Sequence, residues 1–167
     1  MGRTKPIVSA DYIVGLTDGE GCFYVSVSNS QFYLGGARVS LNFHIKMNEK
    51  DKDLLQKVKN TLECGNVYFQ KEQRENHAQC YRYTVGSHRD ITEKIVPFFK
   101  KHHLQSASKQ KSFKAFCEIS EIVRVKKHLT KNGIKRIRKL KARMNQKLLG
   151  SRSAGNPLAT WELEINP

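Results

Sequence analysis

The sequence has no run of about 18 apolar residues, so we expect no membrane-spanning helix. Residues 1–6 lack the apolar region of a signal peptide, and no targeting segment is predicted. The four cysteines include no C-x-x-C pair and fall inside apolar or strand-like patterns. We therefore expect reduced core thiols in a reducing compartment, and neither a disulfide framework nor a zinc finger.

Acidic residues are also scarce, with 15 Asp and Glu against 30 Lys and Arg and a net charge of +15. A surface this basic attracts polyanions, and nucleic acid is the default partner. A basic ribosomal-type protein, or charge that serves solubility alone, is the alternative. The length of 167 residues suits one domain, which we place at residues 1–150, followed by a C-terminal tail at residues 151–167.

The first part of the chain predicts a helix followed by a hairpin. Ser9 is typical of a helix N-cap, and the glycines at Gly19 and Gly21 predict the end of that helix. Apolar and polar residues then alternate over residues 22–29 and again over residues 38–46. This period of two predicts paired strands with one buried face and one polar, partly basic face.

The remaining pattern predicts a second helix, a second hairpin and three more helices. Asn48 begins the second helix and Gly65 ends it. Strands are expected at residues 67–70 and 81–85, and helices carry apolar stripes over residues 91–99, 113–123 and 134–144. The order α-β-β-α-β-β-α-α-α indicates the α+β class.

Two acids stand where the first predicted helix ends. Helix C-termini carry partial negative charge, so Asp18 and Glu20 are placed unfavourably unless a cation lies nearby. Mg²⁺ held against a phosphate explains the acids, because this hard ion binds carboxylate, carbonyl, water and phosphate oxygens. A helix end with solvated acids is the alternative.

Residues 13–21 resemble the signature motif of the LAGLIDADG homing endonucleases. Gly15, Leu16, Asp18 and Gly21 match the motif, and Glu20 stands at its last acidic position. The element order over about residues 9–143 is also similar to the family core. Two further stretches that resemble the family pattern are Phe43-His44-Ile45 leading into Asn48, and Pro97-Phe98-Phe99 followed by Lys109-Gln110-Lys111.

The resemblance implies an αββαββα core with an antiparallel saddle-shaped sheet and additional C-terminal helices. Because there is one copy of the motif, it implies the homodimeric type, with the motif helices packed at a two-fold axis. The implied activity is a staggered double-strand break in a long, near-palindromic DNA target by metal-dependent phosphodiester hydrolysis, as in intron homing. The implied dimer interface comprises Ile13, Gly15, Leu16 and Gly19.

The same resemblance assigns chemical roles around the motif. Glu20 and the Gly19 carbonyl are the implied ligands of Mg²⁺, with Ca²⁺ expected to support binding and Mn²⁺ to substitute. Lys109 is the implied basic residue near the scissile phosphate, and Lys111 is the competing choice. For Asp18 a capping or orienting role is expected, and both a direct role at the site and a purely structural acid stay open.

One position departs from the family pattern. Met47 occupies the place at the end of the second strand where family members often carry a water-positioning polar residue. Asn48, Lys46 or solvent remain as substitutes, and Asn48 is our catalytic candidate.

The polar sheet face is the predicted DNA surface, because a two-stranded ribbon fits the major groove. The alternation places on it Tyr24, Ser26, Ser28, Arg38, Ser40, Asn42, His44, Lys46, Asn66, Tyr68, Gln70, Arg82 and Thr84. Arg38 and Arg82 suit guanine, whereas Asn42 and Gln70 suit adenine.

Phosphate contacts are predicted outside the sheet, where they position the protein without reading sequence. The candidates are Lys71 and Arg74 in the polar loop, and Lys135, Arg138, Lys139 and Lys141 in the last helix. For that helix, charge that serves solubility alone is the alternative.

Two other functions fit the same pattern: an intron maturase that binds structured RNA, and a catalytically inactive DNA-binding protein. The expected partners are double-stranded DNA and a second copy of the chain, with RNA in the maturase case. The residues do not identify the compartment, and the resemblance implies an organelle (mitochondrion or chloroplast) or a microbial cytoplasm.

Overall fold

The computed structural model describes residues 7–73 and 78–144, and these form the predicted α+β arrangement. The predicted end of the domain at residue 150 and the predicted C-terminal tail at residues 151–167 lie outside the described residues. The elements are α1 (Ala10–Glu20), β1 (Gly21–Asn29), β2 (Ala37–Asn48), α2 (Lys52–Leu62), β3 (Asn66–Gln70), β4 (Cys80–Val85), α3 (His88–Asp90), α4 (Val96–Lys101), α5 (Ala107–Arg124) and α6 (Lys131–Met144). Over this part of the chain, each helix is too short or too polar to cross a bilayer.

Strand β1 begins directly after α1, with no loop residue between them. The Ser9 hydroxyl accepts a hydrogen bond from the Tyr12 N–H at 3.2 Å, as expected for an N-cap. Gly19 lies inside the helix, so only Gly21 marks its end, and its extended backbone begins β1 directly. A Cβ on Gly21 would lie 2.6 Å from Thr17 Cγ2, closer than such atoms approach. Glycine is therefore required for the turn that places Glu20 beside the sheet.

The four strands form one antiparallel sheet in the order β1-β2-β4-β3. The two predicted hairpins are confirmed, and they join through pairing of β2 with β4. The register aligns outward-facing residues in rows that cross the sheet. One row is Cys22, His44, Thr84 and Asn66, and the next is Lys46, Arg82 and Tyr68.

The opposite face of the sheet carries the core. Phe23 lies at its centre, with its ring centroid 5.1 Å from Phe43 and 5.3 Å from Phe116. Phe43 and Phe116 are fully buried, and helices α1, α2 and α5 contact this sheet. All four cysteines are free thiols, as expected. Since the core takes up most apolar side chains of β1, β2 and β4, the opposite, polar face of the sheet stays uncovered.

Two helix details differ from prediction. The predicted helix over residues 91–99 is part of a longer helical segment with a π turn at Ile91–Ile95, between α3 and α4. Pro97 has no N–H to donate, so a local change from the i→i−4 pattern is expected just before it. At the end of α2, Glu63 adopts the left-handed conformation (φ 53°), ahead of the predicted Gly65.

We predict that Gly21→Ala destabilises the fold, because the added methyl group meets Thr17. Overpacking of this kind costs about 1–3 kcal/mol, which urea denaturation would detect as a lower midpoint. Ser26→Ala, in the same strand, adds no atom and serves as the control. Equal midpoints for Gly21→Ala and the parent would contradict the proposed steric limit.

Candidate functional site

A cleft of about 470 Å³ opens at the tip of α1. Its lining residues are Glu20, Lys46, Met47, Asn48, Asp51, Glu72, Ala78 and Cys80. Glu20 is exposed, and within residues 7–73 and 78–144 its carboxylate has neither a hydrogen-bond nor an ion-pair partner. This carboxylate is therefore available to a cation.

The surroundings of Glu20 fit part of a hard-cation site. Gly19 is exposed, and a Cβ placed on it would meet no atom within 4 Å. Helix carbonyls at this end lack intrahelical partners, and carboxylate and carbonyl oxygens are the donors that Mg²⁺ and Ca²⁺ take. Among the described residues, however, no three His, Cys, Asp or Glu side chains gather into a metal cluster. The described part of the chain thus offers this cation one carboxylate and one backbone carbonyl at the tip, and Mg²⁺ usually takes its remaining ligands from water and phosphate.

Asp18 has a different task from Glu20. Its carboxylate oxygens accept hydrogen bonds from the Gln105 N–H at 2.8 Å and the Ser106 N–H at 3.2 Å. Ser106 is the N-cap residue of α5, where the helix dipole favours an anion. Asp18 therefore orients α5 against α1, which is the capping or orienting role considered for it.

Lys109 lies in the first turn of α5 and reaches back to the α1 tip. Its ammonium donates a hydrogen bond to the Gly21 carbonyl, one residue beyond Glu20. Lys111 is exposed two residues further on, about 200° around the helix, and so lies away from this junction. The structure favours Lys109 over Lys111 as the lysine near the acidic tip.

The residues at the end of β2 have internal partners. Met47 packs against the core and pairs with Tyr81 across the sheet. The Asn48 side chain accepts a hydrogen bond from the Lys50 N–H at 3.0 Å and so caps the turn that precedes α2. The Lys46 ammonium lies 3.3 Å from the Glu72 carboxylate. Asn48 and Lys46 both border the cleft, but each already has a structural contact.

The strand residues assigned to DNA share the polar face, as the register requires. Two of them carry buried polar atoms for which the structure supplies no hydrogen-bond partner: Gln70 Oε1 and Arg82 Nε. Leaving such atoms unpaired is costly. A ligand with complementary donors and acceptors would relieve that cost.

His44 adds a neutral group to this basic face. Burial, followed by the positive charges of Arg82 and Lys109, lowers its pKa from 6.5 to about 4. The imidazole is therefore uncharged at pH 7 and offers one donor and one acceptor. Burial likewise raises the pKa of the neighbouring Cys22 thiol, which keeps that group protonated.

Helix α6 brings cations to the edge of the same face. Arg138 donates a hydrogen bond to the Asn29 side chain at 2.5 Å, and Lys141 lies 5.9 Å from the Tyr24 ring centroid. Lys139 is exposed about 200° around the helix from Lys141, away from this edge. In the polar loop, Lys71 is exposed, and Arg74 lies outside the described residues.

The outer surface of α1 only partly matches the predicted dimer interface. Gly15 and Gly19 are exposed and Leu16 is half-buried. The assignment of Ile13 is wrong, because its side chain is fully buried in the core of its own chain. Tyr12, which is 48% exposed, shares the face of Gly15 and Gly19 instead. The three-residue step from Tyr12 to Gly15 was the signal for this in the sequence.

The site thus consists of an acidic helix tip, a lysine held beside it and an open polar antiparallel sheet, within an α+β fold. A family model described as LAGLIDADG endonuclease matches residues 13–120. The chain belongs to this LAGLIDADG endonuclease family.

Relatives and solved structures agree with that assignment. The probable intron-encoded DNA endonuclease 1 of Mycosarcoma maydis is 33% identical over 102 residues, which are 61% of this chain and 34% of that protein. The homing endonuclease I-TnaI is 33% identical with a TM-score of 0.73, over 84% of this chain and 90% of that one. I-SmaMI, solved bound to an uncleaved DNA target in the presence of calcium ions, is 30% identical with a TM-score of 0.76, over 87% of this chain and 47% of that one. The chain thus spans about a third of the length of the curated relative.

We predict that Asp18→Ala loosens the contact between α1 and α5. Each hydrogen bond to a charged acceptor contributes about 1.5–3 kcal/mol, so the loss of both should make the Gln105 and Ser106 amides exchange hydrogen faster. Asp11→Ala removes an acid from the opposite end of the same helix and is the control. Unchanged exchange at both amides in Asp18→Ala would contradict the orienting role.

Proposed function

We propose that this chain is a site-specific homing endonuclease that makes a staggered double-strand break in a long, near-palindromic DNA target. The observation that carries the proposal is the placement of the unpartnered Glu20 carboxylate and the Lys109 ammonium at one junction, beside an uncovered polar sheet face. Family membership and the solved structures of DNA-bound neighbours support it.

DNA would lie along the polar face, where the strands enter the major groove. Outward-facing side chains would contact base edges, and Gln70 and Arg82 bring polar atoms that still need partners. Arg138 and Lys141 at the β1 edge would contact phosphates, which positions the sheet without reading the sequence.

Two copies of the site are needed to cut two strands. A homodimer through the outer surface of α1 would bring two Glu20 tips together, because Gly15 and Gly19 leave room for a second helix backbone. This pairing would also bring a second carboxylate close to the first. Support comes from the coverages: the chain matches 90% of I-TnaI but only 47% of the longer I-SmaMI chain, as expected if it corresponds to one half of the larger protein.

Glu20 and the Gly19 carbonyl would hold Mg²⁺ at this tip. When bound, the ion would polarise the phosphate and lower the pKa of a bound water. Lys109, held in place by the Gly21 carbonyl, would stabilise the negative charge that develops on the phosphate. In each strand, across the central minor groove, a water oxygen would form a new bond to phosphorus as one backbone P–O bond breaks and its leaving oxygen takes up a proton, leaving short 3′ overhangs. Ca²⁺ would support binding, and Mn²⁺ would substitute for Mg²⁺.

The name of one relative supports a proposal about where the gene for this chain lies. The Mycosarcoma maydis relative is intron-encoded by name. We propose an intron of an organellar or microbial genome as the origin of this chain, and the sequence that flanks this intron as its DNA target.

We predict that Glu20→Gln abolishes cleavage of this target in Mg²⁺ but leaves binding in Ca²⁺ within about threefold, because the amide is a poor metal ligand yet keeps the shape of the side chain. Plasmid cleavage and gel-shift titration measure the two effects. Asp11→Asn, at the other end of α1, is the control and should cut normally. Cleavage by Glu20→Gln in Mg²⁺ would disprove the assignment, and a parent that binds DNA or RNA without cutting would identify a binding protein instead.

We predict that Gly15→Leu converts a dimer to a monomer without loss of folding, since the new side chain fills the space expected for the partner helix. Sedimentation analysis reports the oligomeric state, and far-UV circular dichroism reports the fold. Gln56→Leu places the same side chain on the exposed surface of α2 and should remain dimeric. A parent chain that stays monomeric with and without DNA would refute the dimer.

A further inference from the structure

An acid occupies the polar face of this highly basic protein. Glu72, in the connection between β3 and β4, lies 3.3 Å from the Lys46 ammonium. The Glu72 side chain is only 13% exposed, and that of Lys46 is 34% exposed. The pair is thus partly desolvated at the border of the same cleft as Glu20.

The position of Glu72 is fixed by its own backbone. The Glu72 N–H donates a hydrogen bond to the Gln79 side chain at 3.0 Å, and the Gln79 carbonyl accepts one from the Glu49 N–H at 2.8 Å. These bonds connect the start and end of the loop to the turn that follows β2. The carboxylate is therefore held at a defined place above the β2 strand.

Phosphate binding does not explain this acid. A carboxylate beside a phosphate would raise the electrostatic energy of the complex, and the remaining acidic pairs on the described surface differ in setting. The Arg89–Glu93 pair, for example, is 80% and 58% exposed along one helical segment. A fixed donor next to a fixed acceptor suits base edges, which present both.

We propose that the Lys46–Glu72 pair reads one G·C base pair in each half of the DNA target. This inference rests on the proposed DNA recognition by the polar face. In the major groove, guanine presents the acceptors N7 and O6, and the paired cytosine presents the donor N4. Lys46 would donate to guanine while Glu72 accepts from cytosine N4, and the two protein groups remain neighbours because O6 and N4 are neighbours.

The other base pairs match this donor and acceptor less well. With adenine under Lys46, the ammonium would meet the N6 donor, and the same conflict arises with the N4 donor of cytosine. With thymine there, O4 accepts and the paired adenine N6 donates to the carboxylate, so this pair differs from G·C only where the thymine methyl group takes the place of guanine N7 and Lys46 loses its second acceptor. Because the pair borders the cleft of Glu20, the base pair it reads lies near the cleavage position.

The test is selection of duplexes from a randomised library by the full chain in Ca²⁺, where binding is measured without cutting. In the parent, we expect one position per half-site near the centre to require G·C. Glu72→Gln should relax that position by about tenfold, because the amide donates as well as accepts and so tolerates either an amino group or a carbonyl on the base that it faces. Glu93→Gln removes an acid from the exposed pair and should leave the whole profile unchanged.

The exchange of both charges, K46E together with E72K, gives a second and independent outcome. Because it swaps donor and acceptor, the same position should change from G·C to C·G while the rest of the profile is kept. Unchanged preference in both variants would overturn the inference. So would equal tightening of binding to all sequences by Glu72→Gln, since Glu72 would then only screen charge. A parent that enriches no sequence would instead disprove the proposed DNA recognition.

Discussion

The carboxylate of Asp18 and the two backbone N–H groups at the start of α5 form the contact on which the site depends. It joins the end of one helix to the beginning of another that lies 87 residues further along the chain. The Lys109 ammonium, one turn into α5, reaches the Gly21 carbonyl because of that alignment. The two acids of the motif therefore have different roles. Asp18 holds the end of α1 against the start of α5, and the Glu20 carboxylate stays exposed at their junction.

Much of the fold could be predicted because it is governed by local periodicity. The strands follow a period of two over residues 22–29 and 38–46, and the structure extends these runs by only one or two residues. Gly21, Ser9 and the apolar stripes of the helices act within a few residues of the positions they determine. The π turn before Pro97 was missed because a missing N–H can be accommodated in several ways.

The site was harder to predict wherever it depends on distant partners. The partners of Asp18 and the choice between Lys109 and Lys111 require the docking angle of α5, which no local pattern contains. Glu72 gave no signal at all, because it lies in a polar loop where an acid is ordinary until Lys46 is seen beside it. Ile13 shows the opposite error: a position was assigned from the motif although helical geometry turns it 100° from Tyr12 and into the core.

The strict alternation of the sheet separates two kinds of evolutionary change. Substitutions at inward positions such as Phe43 or Tyr83 disturb the packing, and selection for foldability removes them. Substitutions at the outward positions in between alter only the groups presented to the ligand. Under the proposed function, a lineage of such proteins would follow a drifting genomic sequence through single-residue exchanges on the outward face, while the position of the Glu20 tip would not change.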